Sequence, residues 1–121
     1  MQNPSPSPLG RHVLADLYGG DAAQLADPVL IEACLLGAAN AAGATVLNSH
    51  FHHFGEAQGV TGVVLLMESH MSIHTWPEHG YAAIDLFMCG QAQVDLALQF
   101  LQLKLRSETQ TIQMVQRGLS I

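Results

Sequence analysis

Hydrophobic and polar residues alternate through much of the chain, which is the pattern of strands with one buried face. The clearest case is the segment 69–76, where one face carries Met71, Ile73 and Thr75 and the other carries His70, Ser72 and His74. Similar patterns, or short apolar runs bounded by Gly and Pro, predict five more strands. The six predicted strands span residues 12–18, 44–53, 60–67, 69–76, 81–88 and 109–116.

Two segments have helical spacing instead. Asp27-Pro28 is a favourable helix start, because Asp can cap the helix and Pro fits its first position. The pattern then places Leu30, Cys34, Ala38 and Ala41 on one face, with Ile31 and Leu35 beside them, and Gly43 terminates the helix. The second helix spans 91–106, where apolar residues recur three and four positions apart: Val94, Ala97, Leu98, Leu101 and Leu105.

The predicted order is therefore β-α-β-β-β-β-α-β. Short connections between the middle strands require a mainly antiparallel sheet, and two helices can cover one of its faces. The fold class is α+β, a two-layer sandwich. We expect residues 9–121 to form a single domain and the Pro-rich residues 1–8 to be a disordered tail.

The composition suggests that the second face of the sheet is covered by another copy. Charged residues make up only 12% of the 121 residues, against about 25% in typical soluble domains. This deficit favours a homodimer that associates through its sheets. The alternative is a compact monomer with many uncharged polar residues on its surface.

Charge and hydropathy also limit the partners and the compartment. The net charge is −6, and the four Lys and Arg residues form no cluster, so nucleic acid is not an expected partner. We expect no membrane association, because no run reaches the roughly 18 apolar residues of a membrane span. The start of the chain lacks a signal peptide pattern, so we expect a cytoplasmic protein with free thiols at Cys34 and Cys89 rather than a disulfide. Cys34 lies on the helical stripe and is expected to be a core residue.

Hydroxyl, imidazole and thiol groups concentrate between Ser69 and Cys89. A metal site is conceivable, because His50 and His52 share one strand face and His70 and His74 share another. The chain has no closely spaced Cys pair, and we expect no metal. A hydrolase triad is poorly supported, because Ser69 and His70 are adjacent on a strand and point to opposite faces. No Gly-x-Ser-x-Gly motif is present either.

Residues 68–78 read Glu-Ser-His-Met-Ser-Ile-His-Thr-Trp-Pro-Glu, followed by Gly-Tyr-Ala-Ala-Ile-Asp-Leu-Phe at 80–87 and Cys89-Gly90. This string closely resembles the short prokaryotic S-adenosylmethionine decarboxylase proenzymes. The likeness extends to residues 9–12, 17–19, 42–48 and 59–64, and it covers about 9–118. It departs from the family pattern at three positions near the motifs: Gly20, His79 and Met88.

The resemblance implies that the chain cuts itself between Glu68 and Ser69. The Ser69 hydroxyl would attack the Glu68 carbonyl, and elimination and hydrolysis would leave a pyruvoyl group at residue 69. His74 would accept the α-proton of Ser69 during processing, and Thr61 would assist. The two products, an α and a β chain, would stay together in a homodimer.

The resemblance further implies a pyruvoyl-dependent decarboxylase whose cofactor is made from Ser69. The substrate S-adenosylmethionine would form a Schiff base with the pyruvoyl group, which accepts electrons as carbon dioxide leaves. Cys89 would return a proton to the substrate. Substrate-binding roles fall to Glu78 on the ribose, to Phe54 on adenine, and to Trp76, which could instead be a core residue. The active site would lie at the dimer interface and use residues of both subunits.

Two other functions remain open at this point. The same self-processing scaffold could decarboxylate another amino acid, such as arginine or ornithine, which would need neither an aromatic stack nor a ribose carboxylate. A non-enzymatic His-rich metal-binding protein is the third possibility.

Overall fold

The structure is a computed structural model that describes residues 7–119. The prediction of a disordered tail at 1–8 falls mostly on residues 1–6, outside the described residues. The strands are β1 (Gly10–Tyr18), β2 (Val46–His53), β3 (Val60–Leu66), β4 (Ser69–Trp76), β5 (Tyr81–Cys89) and β6 (Thr109–Arg117). The α-helices are α1 (Ala22–Leu25), α2 (Pro28–Ala41) and α3 (Val94–Leu105), and a short 3₁₀ turn covers Pro77–His79.

All six strands join one antiparallel sheet in the order β2-β3-β4-β5-β1-β6. The middle strands β2 to β5 are sequential neighbours, as their short connections require. The strand β1 lies between β5 and β6, so the first strand of the chain pairs with two strands from its second half. The predicted α+β sandwich is confirmed, with helices on one face of the sheet.

The helix α2 begins where the sequence indicated. The Asp27 carboxylate accepts hydrogen bonds from the backbone N–H groups of Val29 and Leu30, and Pro28 takes the first position. Its buried side is centred on Ile31, Leu35 and Ala38. The predicted apolar stripe included Leu30 and Ala41, but these two residues are only partly buried. The buried side of the helix is therefore rotated from the predicted stripe toward Ile31 and Leu35.

The other helices differ from prediction in extent. The helix α3 starts at Val94, with Gln93 at its cap position, so the prediction of 91–106 was too long. The four-residue helix α1 was missed, because it is too short to show a helical repeat. Its start is capped by Asp21, whose side chain accepts a hydrogen bond from the Ala23 N–H.

Side chains between the helices and the sheet form the core. From β4, Met71 and Ile73 are fully buried there, and Thr75 is 5% exposed. The Thr75 hydroxyl accepts a hydrogen bond from the Val60 N–H at 2.8 Å and donates one to the Leu25 carbonyl at 2.7 Å. These bonds satisfy the one polar side chain among the buried residues that the structure describes.

Both thiols are free, as predicted. Cys34 lies in the core, and burial raises the pKa of its thiol. Cys89 ends β5 and is partly exposed. Among the described helices, none combines the length and the apolar character that a membrane crossing requires.

The opposite face of the sheet has no helix layer within residues 7–119 and is called the open face here. It carries exposed apolar side chains, among them Leu14, Val63 and Leu65. It also carries His70, Ser72 and His74, as their alternation predicted, because their neighbours Met71 and Ile73 are buried on the helix side. At one end of the open face, the rings of Tyr18, Tyr81 and Trp76 stack in series with centroids 5.3 and 5.1 Å apart.

The Tyr81 hydroxyl donates a hydrogen bond of 2.6 Å to Asp16, and this bond raises the pKa of Tyr81 to about 12. Stability from this bond is present below pH 10.0, the ordinary pKa of tyrosine, and is lost as the pH rises through the folded value.

We expect Asp16→Asn to lower the pKa of Tyr81 toward 10.0, measured by phenolate absorbance. A Tyr18→Phe background leaves Tyr81 as the only tyrosine. An unchanged titration midpoint would contradict the assignment.

Candidate active site

Cys89 contacts the carbonyl group of Glu68 in two ways. Its backbone N–H donates a hydrogen bond of 2.9 Å to the Glu68 oxygen, and its thiol donates another of 2.9 Å to the same atom. The Ser69 hydroxyl lies 3.8 Å from the Cys89 sulfur. The pairing of β4 with β5 sets this geometry, because Ser69 lies opposite Met88 and the next residue of β5 meets the turn before β4.

The peptide unit between Glu68 and Ser69 lies in a tight turn. Leu66 pairs with Ser69, so Met67 and Glu68 alone connect β3 to β4. Ser69 has a φ of +139°, a region that L-residues rarely adopt and that costs on the order of 1–3 kcal/mol. The Glu68 carboxylate is fixed by the Thr45 N–H at 2.9 Å. The structure thus holds a strained serine directly after a carbonyl that two donors polarise.

Such a group of atoms favours acyl transfer to the serine oxygen. Attack on a carbonyl carbon moves negative charge onto the carbonyl oxygen, and donors aimed at that oxygen stabilise the charge. Here the donors are the Cys89 N–H and thiol, and the nucleophile is the adjacent Ser69 hydroxyl. The sequence predicted Glu68, Ser69 and Cys89 as site residues, and the structure brings them together as a first group.

The remaining predicted site residues form a second group. The Thr61 hydroxyl and His74 Nδ1 are 3.0 Å apart, because these residues face each other on β3 and β4. Both line a cleft of about 400 Å³ together with Phe54, Trp76 and Glu78. Trp76 is 40% exposed, so it is a lining residue and not part of the core. The cleft also includes Gln58, which the sequence analysis did not single out.

Within one chain the two groups are far apart. Ser69 and His74 begin and nearly end the same strand, and five residue steps of an extended chain span about 16 Å. No side chain bridges such a distance. The processing base suggested by the sequence therefore cannot reach Ser69 within the same chain.

A hydrogen-bonded network lies on the open face beside the first group. The Asp85 carboxylate accepts hydrogen bonds from His70 Nε2 at 3.0 Å, from the Ser72 hydroxyl at 3.2 Å and from His12 Nε2. Arg117 Nη1 lies 3.1 Å from His12 Nδ1. Sequence reasoning missed Asp85, His12 and Arg117. Asp85 could have been identified as a candidate from the sequence, because it is the one charged residue in an otherwise apolar strand.

His12, His70 and Asp85 also have the composition of a metal site, and their ligand atoms lie within 4.8 Å of one another. The position of Arg117, beside His12, argues against a metal site. A guanidinium only donates hydrogen bonds, so Nδ1 of His12 must accept and Nε2 must carry the proton. A metal would need the lone pair of that same Nε2. The cluster is therefore better described as a hydrogen-bonded network around one carboxylate.

Comparison with known proteins shows which family the chain is similar to. The family model described as S-adenosylmethionine decarboxylase matches residues 11–118. An S-adenosylmethionine decarboxylase proenzyme of Prochlorococcus marinus is 46% identical over 110 residues, covering 90% of this chain and 87% of the relative. One from Caldicellulosiruptor saccharolyticus is 47% identical over 113 residues, covering 92% and 90%.

A solved structure is similar as well. The crystal structure of the adenosylmethionine decarboxylase from Aquifex aeolicus superposes with a TM-score of 0.87 and 40% identity, and the match covers 95% of each chain. Because the family model spans nearly the whole chain and the relatives match over most of their length, the chain belongs to the S-adenosylmethionine decarboxylase family.

Proposed function

We propose that the chain cuts itself between Glu68 and Ser69 and then decarboxylates S-adenosylmethionine, which supplies the aminopropyl donor for polyamine (spermidine) synthesis. One observation carries the proposal: two donors from Cys89 meet the carbonyl oxygen of Glu68, directly before the strained Ser69. Family membership provides the substrate class.

The first step is transfer of the Glu68 acyl group from nitrogen to the Ser69 oxygen. The hydroxyl oxygen bonds to the carbonyl carbon, the C–N bond breaks, and the freed nitrogen takes up a proton. Release of the Ser69 backbone from a φ of +139° favours the forward direction. The Cys89 N–H and thiol stabilise the charge on the carbonyl oxygen during the transfer.

The second step removes the α-proton of Ser69 and expels the new α-carboxylate of Glu68 from the ester. Residue 69 is left as a dehydroalanine, and water then converts it to the pyruvoyl group with release of ammonia. We assign the base to His74, whose Nδ1 is 3.0 Å from the Thr61 hydroxyl. The Thr61 contact orients the ring. Because His74 lies about 16 Å along β4 from Ser69 in the same chain, the base must come from a second copy.

The open face is the surface on which the second copy would pack. It exposes Leu14, Val63 and Leu65 to solvent, and no other described element covers it. In a two-fold dimer each contact occurs twice with the roles exchanged. Such an arrangement can bring His74 and the cleft of one chain to Ser69 and Cys89 of the other, which forms two equivalent sites.

The cleft supports a nucleoside substrate. Phe54 is 61% exposed and offers a ring face, and Glu78 offers a carboxylate that could accept hydrogen bonds from ribose hydroxyls. Arginine or ornithine would need neither group. The gathering of Phe54, Trp76 and Glu78 around one cleft therefore favours S-adenosylmethionine over an amino acid without adenosine.

Residue 69 fits the pyruvoyl group that the family implies, since Ser69 follows the polarised carbonyl and has the Cys89 thiol 3.8 Å from its hydroxyl. The group supplies an electron sink for decarboxylation. Cys89 then holds the proton that is returned to the substrate carbon. It therefore serves both stages, as a donor to Glu68 before the cut and as a general acid afterwards.

The cut can be tested by mass spectrometry. We expect the wild-type protein to give two masses under denaturing conditions, one for residues 1–68 and a smaller one that begins at residue 69 and lacks an N-terminal amine. Ser69→Ala should stay intact, because the attacking oxygen is gone. Ser49→Ala on β2 is the control and should cut normally. A wild-type chain that remains whole after long incubation would count against an active enzyme.

Replacing Cys89 separates its two proposed roles. Cys89→Ala keeps the backbone N–H but loses the thiol, so cutting should slow by about 10-fold to 100-fold without stopping. Turnover should fall by at least about 100-fold, because the general acid is lost. Carbon dioxide release from S-adenosylmethionine, arginine and ornithine measures turnover and substrate choice. The control Cys34→Ala should behave as wild type, and normal turnover in Cys89→Ala would refute the assignment.

Mixed dimers of two inactive variants test whether the site is shared. Ser69→Ala lacks the nucleophile but keeps His74, whereas His74→Ala keeps the nucleophile but lacks the base. Each should remain intact when expressed alone. When both are co-expressed, mixed dimers should restore one complete site, and part of the His74→Ala chains should be cut. Mass spectrometry distinguishes the two chains, and complete absence of cutting in the mixture would show that the site is not shared.

A further inference from the structure

We infer that Asp85 and His70 form a clamp that holds the newly cut end of β4 in place, so that residue 69 stays aligned with Cys89 after the Glu68 link is broken. This inference rests on the proposed function, because it concerns the protein after the cut. Asp85 is a positioning residue in this assignment and acts through His70.

The cut removes the covalent anchor at the start of β4, while the end of the strand stays joined to β5 through Pro77–His79. Before the cut, the turn at Met67 and Glu68 ties the start of β4 to β3. Afterwards residue 69 is a chain end, and strand ends fray unless they are tied down. The first core anchor of the strand is Met71, which is fully buried. Between that anchor and residue 69 the only side chain is that of His70.

His70 is held firmly on the open face. Its Nε2 donates a hydrogen bond of 3.0 Å to Asp85, and its ring meets the Phe87 ring edge-on at 5.8 Å. A carboxylate acceptor makes this bond charge-assisted, which strengthens it relative to a neutral pair. His70 also lies opposite Phe87 in the ladder, so side chain and backbone fix it together.

Further contacts hold the carboxylate itself in place. His12 donates to Asp85 from β1, and Ser72 donates at 3.2 Å from β4. Arg117 of β6 holds His12 at 3.1 Å, and its guanidinium carbon lies 5.4 Å from the centre of the Phe87 ring. Asp85 is thus held by donors from its two neighbouring strands, β1 and β4, and Arg117 of β6 acts only through His12. The contact from β1 does not depend on the peptide bond that is cut.

The contacts also cross between the two products. His12 belongs to the fragment 1–68, whereas Asp85, His70 and Arg117 belong to the fragment that starts at residue 69. The contact of His12 with Asp85 therefore anchors the clamp to the fragment 1–68. A general structural role would matter equally before and after cutting, but a clamp matters only once the chain end exists.

The test measures amide hydrogen exchange of peptides from residues 70–76 in uncut and cut protein. The uncut state is provided by the Ser69→Ala background. We expect Asp85→Asn to leave exchange unchanged in that background but to speed it by about tenfold in the cut protein. His70→Ala should have the same effect. Turnover of the cut Asp85→Asn protein should fall by about tenfold, because residue 69 is misaligned.

The control is Asp95→Asn, which makes the same chemical change on an exposed carboxylate in the first turn of α3 and should alter neither exchange nor turnover. Faster exchange in both states would indicate a general structural role and overturn the inference. Unchanged exchange in the cut protein would overturn it too, as would variants that never cut. If the wild-type protein stays whole, the proposed function fails and the clamp fails with it, and the intact mass identifies that case.

Discussion

The antiparallel pairing of β4 with β5 is the constraint on which the rest of the site depends. Its register sets Ser69 opposite Met88, so that the following residue, Cys89, meets the carbonyl of Glu68. The same register sets Ser72 opposite Asp85. A slip of one residue would turn every side chain of β4 to the other face. The core prevents this slip, because the buried Met71 and Leu86 face each other across the two strands.

Elements with strong alternation were predictable from the sequence. The strand β4 was found with its observed bounds, because its buried residues Met71 and Ile73 alternate with polar ones. The Asp-Pro pair marked the start of α2 for a local reason, namely capping. The side of α2 that is buried was less predictable. Apolar residues surround this helix on most sides, so the position of its neighbours decides which stripe faces the sheet.

The residues of the site were predictable from the sequence, but the distances between them were not. The resemblance supplied Ser69, His74 and Cys89, and no sequence pattern could say that His74 lies far from Ser69. The network around Asp85 was missed for a related reason. His12 is 73 residues from Asp85 along the chain and 105 residues from Arg117. Contacts of such separation depend on strand order, which a single sequence does not specify.

One strand carries both halves of the proposed site, and this fact limits how the site can be completed. Ser69 and His74 are fixed near opposite ends of β4, and a strand in a sheet cannot fold back to bring them together. A second copy, related by a two-fold axis and packed on the open face, would complete two equivalent sites, because each chain then supplies the half that the other lacks. The exposed Val63 and Leu65 would be covered by the same packing.

Strand order also explains why a cut at residue 68 would leave the sheet intact. The fragment 1–68 would contribute β1, β2 and β3, and the remaining fragment would contribute β4, β5 and β6. Since β1 lies between β5 and β6, the two fragments interleave and share three pairings: β3 with β4, β1 with β5, and β1 with β6. The broken bond lies in a turn, so no ladder pair is lost with it. What the cut does remove is the covalent tether on residue 69. The ladder pairs of Ser69 with Leu66 and Met88 are then supported by the nearest side-chain hydrogen bond of β4, between His70 and Asp85.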